Sequence, residues 1–391
     1  MTAIVKLAPG QHKRIKAGHP WVYSNEIARR HLPDGLEPGA LVTIVGDNGE
    51  VYGTAIYNPH SLLAARLIDR AGDSELDAEF LTGRLRRALD LRERLFDAPY
   101  YRLVHAEADG LPGLIVDRYG DAAAVQLNSA GMDRRRDAVL AALDNIVELQ
   151  TIVLRNDSAG RALEGLPREV TTIRGDGAAT VWLRENGAWF AASLEAGQKT
   201  GWFFDQRDSR AFLAKLAKGA RVADFYAYGG GFGIQAMCAG ASSAVLIDRS
   251  QRALDQAAES ARRNNVAEGC QLVKADAFEE MQRQAAQQYG IVVADPPAFV
   301  KSRKDLRAGC RAYRKMTRLA ARLVAPGGIL FVASCSHNVS LDLFGECVRK
   351  GLADARRPGR ILRQAGAGAD HPVHPHLPES AYLKSLTLLL D

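Results

Sequence analysis

Residues 221–233 read Arg221-Val222-Ala223-Asp224-Phe225-Tyr226-Ala227-Tyr228-Gly229-Gly230-Gly231-Phe232-Gly233. A short apolar run ends in glycines, which let the backbone turn sharply and approach a ligand closely. Four further apolar runs follow, at 244–248, 271–273, 291–295 and 329–333, with helical stretches between them. Strand–helix alternation of this kind predicts a doubly wound parallel sheet, an α/β domain of Rossmann-like type over 195–391. Ligands of such sheets lie beyond the carboxyl ends of the strands. The residues just after each run therefore carry the chemistry.

The second run ends on Asp248, about 24 residues beyond Asp224. An acid there can accept hydrogen bonds from both ribose hydroxyls of an adenosine. Asp276, after the third run, is placed to accept from the adenine amino group. Together they indicate an adenosine-containing cofactor. Gly231, Gly233 and Ala236 also satisfy the dinucleotide pattern G-x-G-x-x-G/A, which alone is weak. The fourth run ends in Asp295-Pro296-Pro297-Ala298-Phe299, a rigid turn that can present a carboxylate and carbonyls to a base amino group. Hydride transfer has no evident need for it. The fifth ends in Ser334-Cys335-Ser336, and Cys335 reads either as a small buried cysteine or as a nucleophile on the same rim.

Upstream the texture changes. Residues 1–75 hold short β-type runs, with a hairpin predicted from 41–45 and 51–57 around Gly46-Asp47-Asn48-Gly49. Lys6, Lys13, Arg14, Lys16, Arg29 and Arg30 lie near Trp21 and Tyr23. Cations interleaved with aromatics suit RNA, although both rings would serve equally as core of a small barrel. Residues 76–194 read as an α+β region: a helix near 77–97, strands around Tyr119-Gly120-Asp121, a helical stretch near 132–147, and a hairpin from 170–173 and 180–183.

The chain has 391 residues, with 51 Lys plus Arg against 45 Asp plus Glu, for a net charge of +6. That permits nucleic acid without demanding it. Hydrophobic residues make up 47%, which excludes a disordered or collagenous chain. Five cysteines without a CxxC pair fit a reducing compartment better than a disulfide framework or zinc finger. No run is long enough to span a bilayer and the start lacks a signal-peptide core, so a cytoplasmic location is expected.

Several motifs resemble the PUA-containing bacterial 23S ribosomal-RNA cytosine-5 methyltransferases, which use S-adenosylmethionine. They are Gly18-His19-Pro20-Trp21-Val22-Tyr23-Ser24, Ala55-Ile56-Tyr57-Asn58-Pro59-His60-Ser61, Glu107-Ala108-Asp109-Gly110-Leu111-Pro112-Gly113, Gly197-Gln198-Lys199-Thr200-Gly201-Trp202-Phe203-Phe204-Asp205-Gln206-Arg207, the D-P-P-A-F and S-C-S turns, Asp370-His371-Pro372-Val373 and Tyr382-Leu383-Lys384. The resemblance implies a PUA-like β-barrel over 1–75, an α+β domain over 76–194, and a class I methyltransferase domain over 195–391. Its sheet would have seven strands, one of them antiparallel near the C terminus. The family's glycine turn usually carries a hydroxyl residue where this chain has Gly229, and Ser260 stands where the family tends to have Asn.

The resemblance also implies roles. Cys335 would add to C6 of cytosine, making C5 nucleophilic enough to take the methyl group, and Asp295 would grip the N3/N4 edge of the base. Cofactor contacts would come from Phe225, Tyr226, Gly229, Gly231, Asp248, Arg249, Asp276, Ala277 and Asp295, with Lys199, Thr200 and Arg207. The partner would be large-subunit rRNA or an assembling particle, contacted by Lys13, Arg14 and Trp21 and by Lys301, Arg303, Lys304 and Arg311 beside the D-P-P turn. Asp370, His371, His374 and His376 could suggest a metal, but Pro372 and Pro375 break helical ligand spacing and none is expected. The rivals are methylation of a base nitrogen without a cysteine nucleophile, a nicotinamide-dependent oxidoreductase, and a non-catalytic RNA-binding assembly protein.

Overall fold

The computed structural model describes residues 2–391, which divide into two compact units. The first comprises Met1–Val181, Ser193–Trp202 and Ala369–Pro378; the second comprises Trp182–Ala192, Phe203–Gly368 and Glu379–Asp391.

The first unit holds two five-stranded sheets. One is ordered Ala3–Lys6, Ala40–Val45, Val51–Tyr57, Ala65–Asp69, Trp21–Val22. It contains the expected hairpin, and its alternating inward residues Val42, Ile44 and Ala55 are buried with Val5, Leu7 and Ile15. The other is ordered Glu169–Arg174, Thr151–Asn156, Ala122–Leu127, Leu114–Tyr119, Tyr100–His105. The helix Ala78–Leu95 buries Leu81, Leu85 and Leu89 in its core, and Asp77 caps it by accepting from the Phe80 N–H at 2.8 Å.

Buried ion pairs bind this unit together. Arg66 reaches Glu107 at 2.8 Å and Glu164 at 3.0 Å, so the first sheet is tied to the elements carrying the second. Arg92, wholly buried, makes a bidentate pair with Asp109 at 2.6 and 2.8 Å and donates to the Asp370 and Arg102 carbonyls. That pair joins the Asp370 segment, remote in sequence, to the unit. Removing one member of such a pair strands the other charge in a poorly hydrated site. Arg92→Met is therefore expected to destabilise the first unit by about 3–5 kcal/mol, read as a lower urea midpoint. An unchanged midpoint would sink this account.

One expectation is corrected. Residues 170–173 and 180–183 do not form a hairpin. Glu169–Arg174 pairs with Thr151–Asn156, whereas Thr180–Glu185 pairs with Ala188–Ser193. The turn that decides this is Asn186-Gly187, with φ of 49° and 85°. Two adjacent positive φ values suit a two-residue hairpin turn that follows strand twist.

The second unit is built on a seven-stranded sheet: β1 (Arg221–Phe225), β2 (Ser243–Asp248), β3 (Cys270–Lys274), β4 (Tyr289–Ala294), β5 (Val324–Ser334), β6 (Gly359–Ala365) and β7 (Lys384–Leu390). Its order is β3-β2-β1-β4-β5-β7-β6. The first five strands are mutually parallel, and β7 runs antiparallel to both neighbours. Val222–Phe225 and Ile291–Ala294 are buried throughout, as befits parallel strands covered on both faces. The strand order reverses between β1 and β4, and a crevice opens there beyond the carboxyl ends. Among the described residues no helix is long and apolar enough to cross a membrane.

Candidate active site

The loop after β1 is conformationally strained. Tyr226, Tyr228 and Gly230 have φ of 64°, 49° and 80°. Left-handed tyrosines are uncommon and persist where the surroundings over-determine them, often at ligand cradles. Two acids hold this loop. Asp224 is buried and accepts from the Gly233 N–H at 2.9 Å, pinning the start of the helix Gly231–Cys238. Asp248 accepts from the Tyr228 N–H at 2.9 Å with one oxygen and from the Ser250 N–H at 2.9 Å with the other. Each carboxylate oxygen has two lone pairs, so Asp248 retains acceptor capacity for a pair of ligand hydroxyls.

Asp276 caps the helix Ala277–Arg283, one oxygen accepting from the Phe278 and Glu279 N–H groups. Its other oxygen lies 4.0 Å from Arg249, whose side chain is largely exposed. The Tyr226 hydroxyl is buried without a hydrogen-bond partner, and burial beside Asp276 pushes its pKa up. A buried orphan hydroxyl between a carboxylate and a glycine loop is a polar position a ligand can satisfy. These residues fit an adenosine-bearing cofactor.

The other side of the crevice is formed after β4 and β5. Asp295 accepts from Gln206 Nε2 at 3.0 Å. The half-buried Cys335 lies with its sulfur 3.9 Å from the Pro296 carbonyl oxygen, which brings the S-C-S and D-P-P turns together. The flanking serines lock the cysteine turn. Ser334 and Ser336 each bond the Tyr313 hydroxyl at 2.8 Å, and Ser336 Oγ accepts from the Val300 N–H at 3.1 Å. Buried Lys384 donates to the Ser336 carbonyl at 2.7 Å.

Asp248, Asp276, Asp295, Cys335, Phe225, Tyr226, Gly231, Arg249 and Ala277 thus stand at the carboxyl rim of one sheet. Arg207 lies 3.6 Å from Glu185 and over the Phe204 ring. Lys199 and Thr200 fold with the first unit, where the Thr200 hydroxyl donates to Asp117. Lys301, Arg303, Lys304 and Arg311 are exposed on the turn and helix that follow the D-P-P segment. In the first unit Lys13 is exposed; Arg14 pairs with Glu26 and lies over Tyr23. The Trp21 indole N–H donates to Glu107 at 2.9 Å, and Arg66 faces its ring. His374 Nδ1 accepts from the His376 backbone, and His371 bonds Asp370. Among the described residues no three His, Cys, Asp or Glu side chains cluster as a metal site.

Gln206, Tyr313 and Lys384 were not singled out from sequence. Gln206 and Lys384 do stand inside motifs that carry the resemblance, but nothing in the spacing gives them a role.

Comparison with known proteins agrees with this geometry. Residues 5–70 match the PUA-like domain model, and residues 142–355 match a family of S-adenosylmethionine-dependent methyltransferases. The chain is 34% identical over 392 residues to "Ribosomal RNA large subunit methyltransferase I" of Pseudoalteromonas atlantica, covering 99% of both chains. It is 35% identical to the protein of that name from Photobacterium profundum, covering 98% of both. Among solved structures it resembles a Streptococcus mutans protein described as a SAM-dependent methyltransferase, with a TM-score of 0.83 at 22% identity over 99% of this chain and 100% of that one. A second, described as a methyltransferase complexed with SAH, has a TM-score of 0.84 at 21% identity and covers both chains fully. The cofactor is S-adenosylmethionine.

Proposed function

The chain belongs to the ribosomal RNA large subunit methyltransferase I family, and we propose that it methylates C5 of a cytosine in large-subunit rRNA. The observation that carries the choice of atom is Cys335, a half-buried thiol beside the D-P-P turn on the rim that holds the cofactor acids. Methylating a base nitrogen needs no thiol there.

C5 of cytosine is a weak nucleophile. Addition of the Cys335 sulfur to C6 breaks the C5–C6 double bond and moves its electron pair towards C5. Asp295, oriented by Gln206, grips the N3/N4 edge and makes the ring more electrophilic. Bound S-adenosylmethionine supplies the electrophilic methyl group that C5 takes up. Loss of the C5 proton then restores the double bond and expels Cys335 as thiolate. Asp248, Asp276 and the Tyr226 hydroxyl hold the cofactor's adenosine. Lys301, Arg303, Lys304 and Arg311 are assigned to backbone phosphates at the pocket mouth. Residues 1–75 would position the RNA, with Lys13 and Arg14 on phosphates. The target base must leave its stack or start single-stranded to reach a recessed thiol.

The test is transfer of labelled methyl from S-adenosylmethionine to protein-free large-subunit rRNA and to assembling particles, with mass spectrometry of the digested nucleosides. We expect 5-methylcytidine from at least one substrate. A methylated purine or an N-methylated base would overturn the assignment of atom. No product from either substrate would overturn the assignment of RNA.

A further inference from the structure

We propose that Lys384 is a positioning residue that stabilises the Cys335 thiolate, so that more of the nucleophile is charged at neutral pH than in an ordinary thiol. The proposal rests on the reading of Cys335 as the nucleophile.

The β-ladder sets the placement. β7 runs antiparallel to β5, with Lys384 opposite Ser334 at the end of the ladder. Lys384 is thereby next to the S-C-S turn by register, not by the chance reach of a long side chain. Its Nζ donates at 2.7 Å to the carbonyl of Ser336, the residue after Cys335. The residue is only 7% exposed. A buried ammonium is costly unless something negative compensates it, and a single carbonyl supplies only part of that. The residue's own electrostatics agree: burial pulls the Lys384 pKa down, and Cys335 pulls it back up. The interaction is mutual, so the ammonium favours the thiolate to the same extent that the thiolate favours the ammonium. A thiol beside a fixed cation is the usual arrangement for a reactive cysteine.

Other groups face the turn. Tyr313, from the helix Leu306–Leu323, is a neutral hydroxyl whose pKa burial raises. Asp295, after β4, is the carboxyl group on this rim and accepts from Gln206; ionised, it would disfavour a thiolate. His337, on the same loop, is exposed and bonded to the Glu379 carbonyl. Tyr382 precedes β7 and donates to Asp205. Lys384 is the buried cation in this set, and its charge must outweigh that of Asp295.

The experiment alkylates the full-length chain with iodoacetamide from pH 5 to 10, and peptide mass spectrometry follows Cys335. The thiolate sulfur forms the new S–C bond and iodide leaves, so the rate tracks the thiolate fraction without any methyl transfer. In the wild type the midpoint should lie below ~8.5, the ordinary thiol value. In Lys384→Met it should rise by about one to two pH units, slowing alkylation at pH 7 by at least about threefold. Lys384→Arg, which keeps the cation, should stay near the wild type, and the exposed Cys238 serves as internal reference. A wild-type midpoint at or above ~8.5, an unmoved midpoint in Lys384→Met that still binds S-adenosylhomocysteine, or an Arg variant that behaves like Met would each overturn the proposal. The wild-type midpoint decides even if Lys384→Met fails to fold. A Cys335→Ala protein that still methylates RNA would remove the nucleophile and leave the measured coupling standing, so the two readings fail separately.

Discussion

Cys335→Ala is expected to lower methyl transfer to rRNA by at least about a thousandfold while leaving S-adenosylhomocysteine affinity within about twofold. The contrast follows from geometry. Cys335 follows β5 beside Pro296, whereas Asp248 ends β2 and Asp276 follows β3. Its removal deletes the bond to C6 and nothing that holds adenosine. The backbone of the turn should survive, because Ser334, Ser336, Tyr313 and Lys384 hold it without the sulfur. Cys335→Ser keeps the shape of the turn but offers a far weaker nucleophile, so it should be nearly as inactive. A substrate change tests the same bond from the other side. RNA carrying 5-fluorocytosine at the target has no C5 proton to lose, so the Cys335–C6 bond cannot be expelled. The protein should remain covalently attached to such RNA, visible as a denaturation-resistant band, and Cys335→Ala should form none. Wild-type transfer at normal rate by Cys335→Ala, or no adduct with fluorinated RNA, would remove the covalent route.

The catalytic half of the fold was legible because parallel strands buried on both faces have a plain signature. Val222–Phe225 and Ile291–Ala294 are apolar apart from Asp224, and the residues that end each run are the ones the crevice collects. Asp248 and Asp276 could be placed from that rule. The bond from the Tyr228 N–H to Asp248 could not, because it depends on the left-handed turn geometry of the loop after β1. Lys384 shows the limit most clearly. It stands 49 residues after Cys335, and only the antiparallel return of β7 brings it to the S-C-S turn. Periodicity carries no information about such a pairing.

The N-terminal half was less legible, and the reason is electrostatic. Trp21 and Arg14 read from sequence as candidates for stacking and phosphate contact, but the internal partners they also have, Glu107 for the Trp21 N–H and Glu26 for Arg14, stand 86 and 12 residues away and leave no local trace. Glu107, Glu164 and Arg66 form one buried network across distant elements, which no local pattern announces. Against the expected hairpin from 170–173 and 180–183 stands a local signal: Asn186-Gly187 is a strong two-residue turn, and it pairs the second of these strands with the residues after it. Ser260 also gains a role the sequence did not suggest. Its buried hydroxyl accepts from the Ala191 N–H at 2.9 Å and donates to the Gln256 carbonyl, fastening the hairpin strand to a helix.

Asp224→Asn should make the ligand-free chain more stable at pH 8 and flatten its stability against pH. Asp224 is 1% exposed, and its carboxyl is pushed up to about 7, first by burial and then by the like charges of Asp295 and Asp248; the Gly233 N–H and Arg210 act the other way. A carboxyl whose folded pKa lies above its unfolded value binds its proton more tightly in the native state. Its stabilising contribution is full below about pH 4 and is lost as pH rises through 7. Over that window the loss is on the order of 4 kcal/mol. Asparagine keeps an oxygen for the Gly233 N–H and carries no charge, so the loss disappears. Urea midpoints at pH 5 and pH 8 should therefore diverge in the wild type and coincide in the variant, apart from a background common to both. A variant that keeps the full wild-type slope would show that another group titrates. The carboxylate sits where the strained loop begins and where three acids converge on one crevice. Its charge weakens the empty protein, so a cationic occupant of the crevice should offset part of that loss.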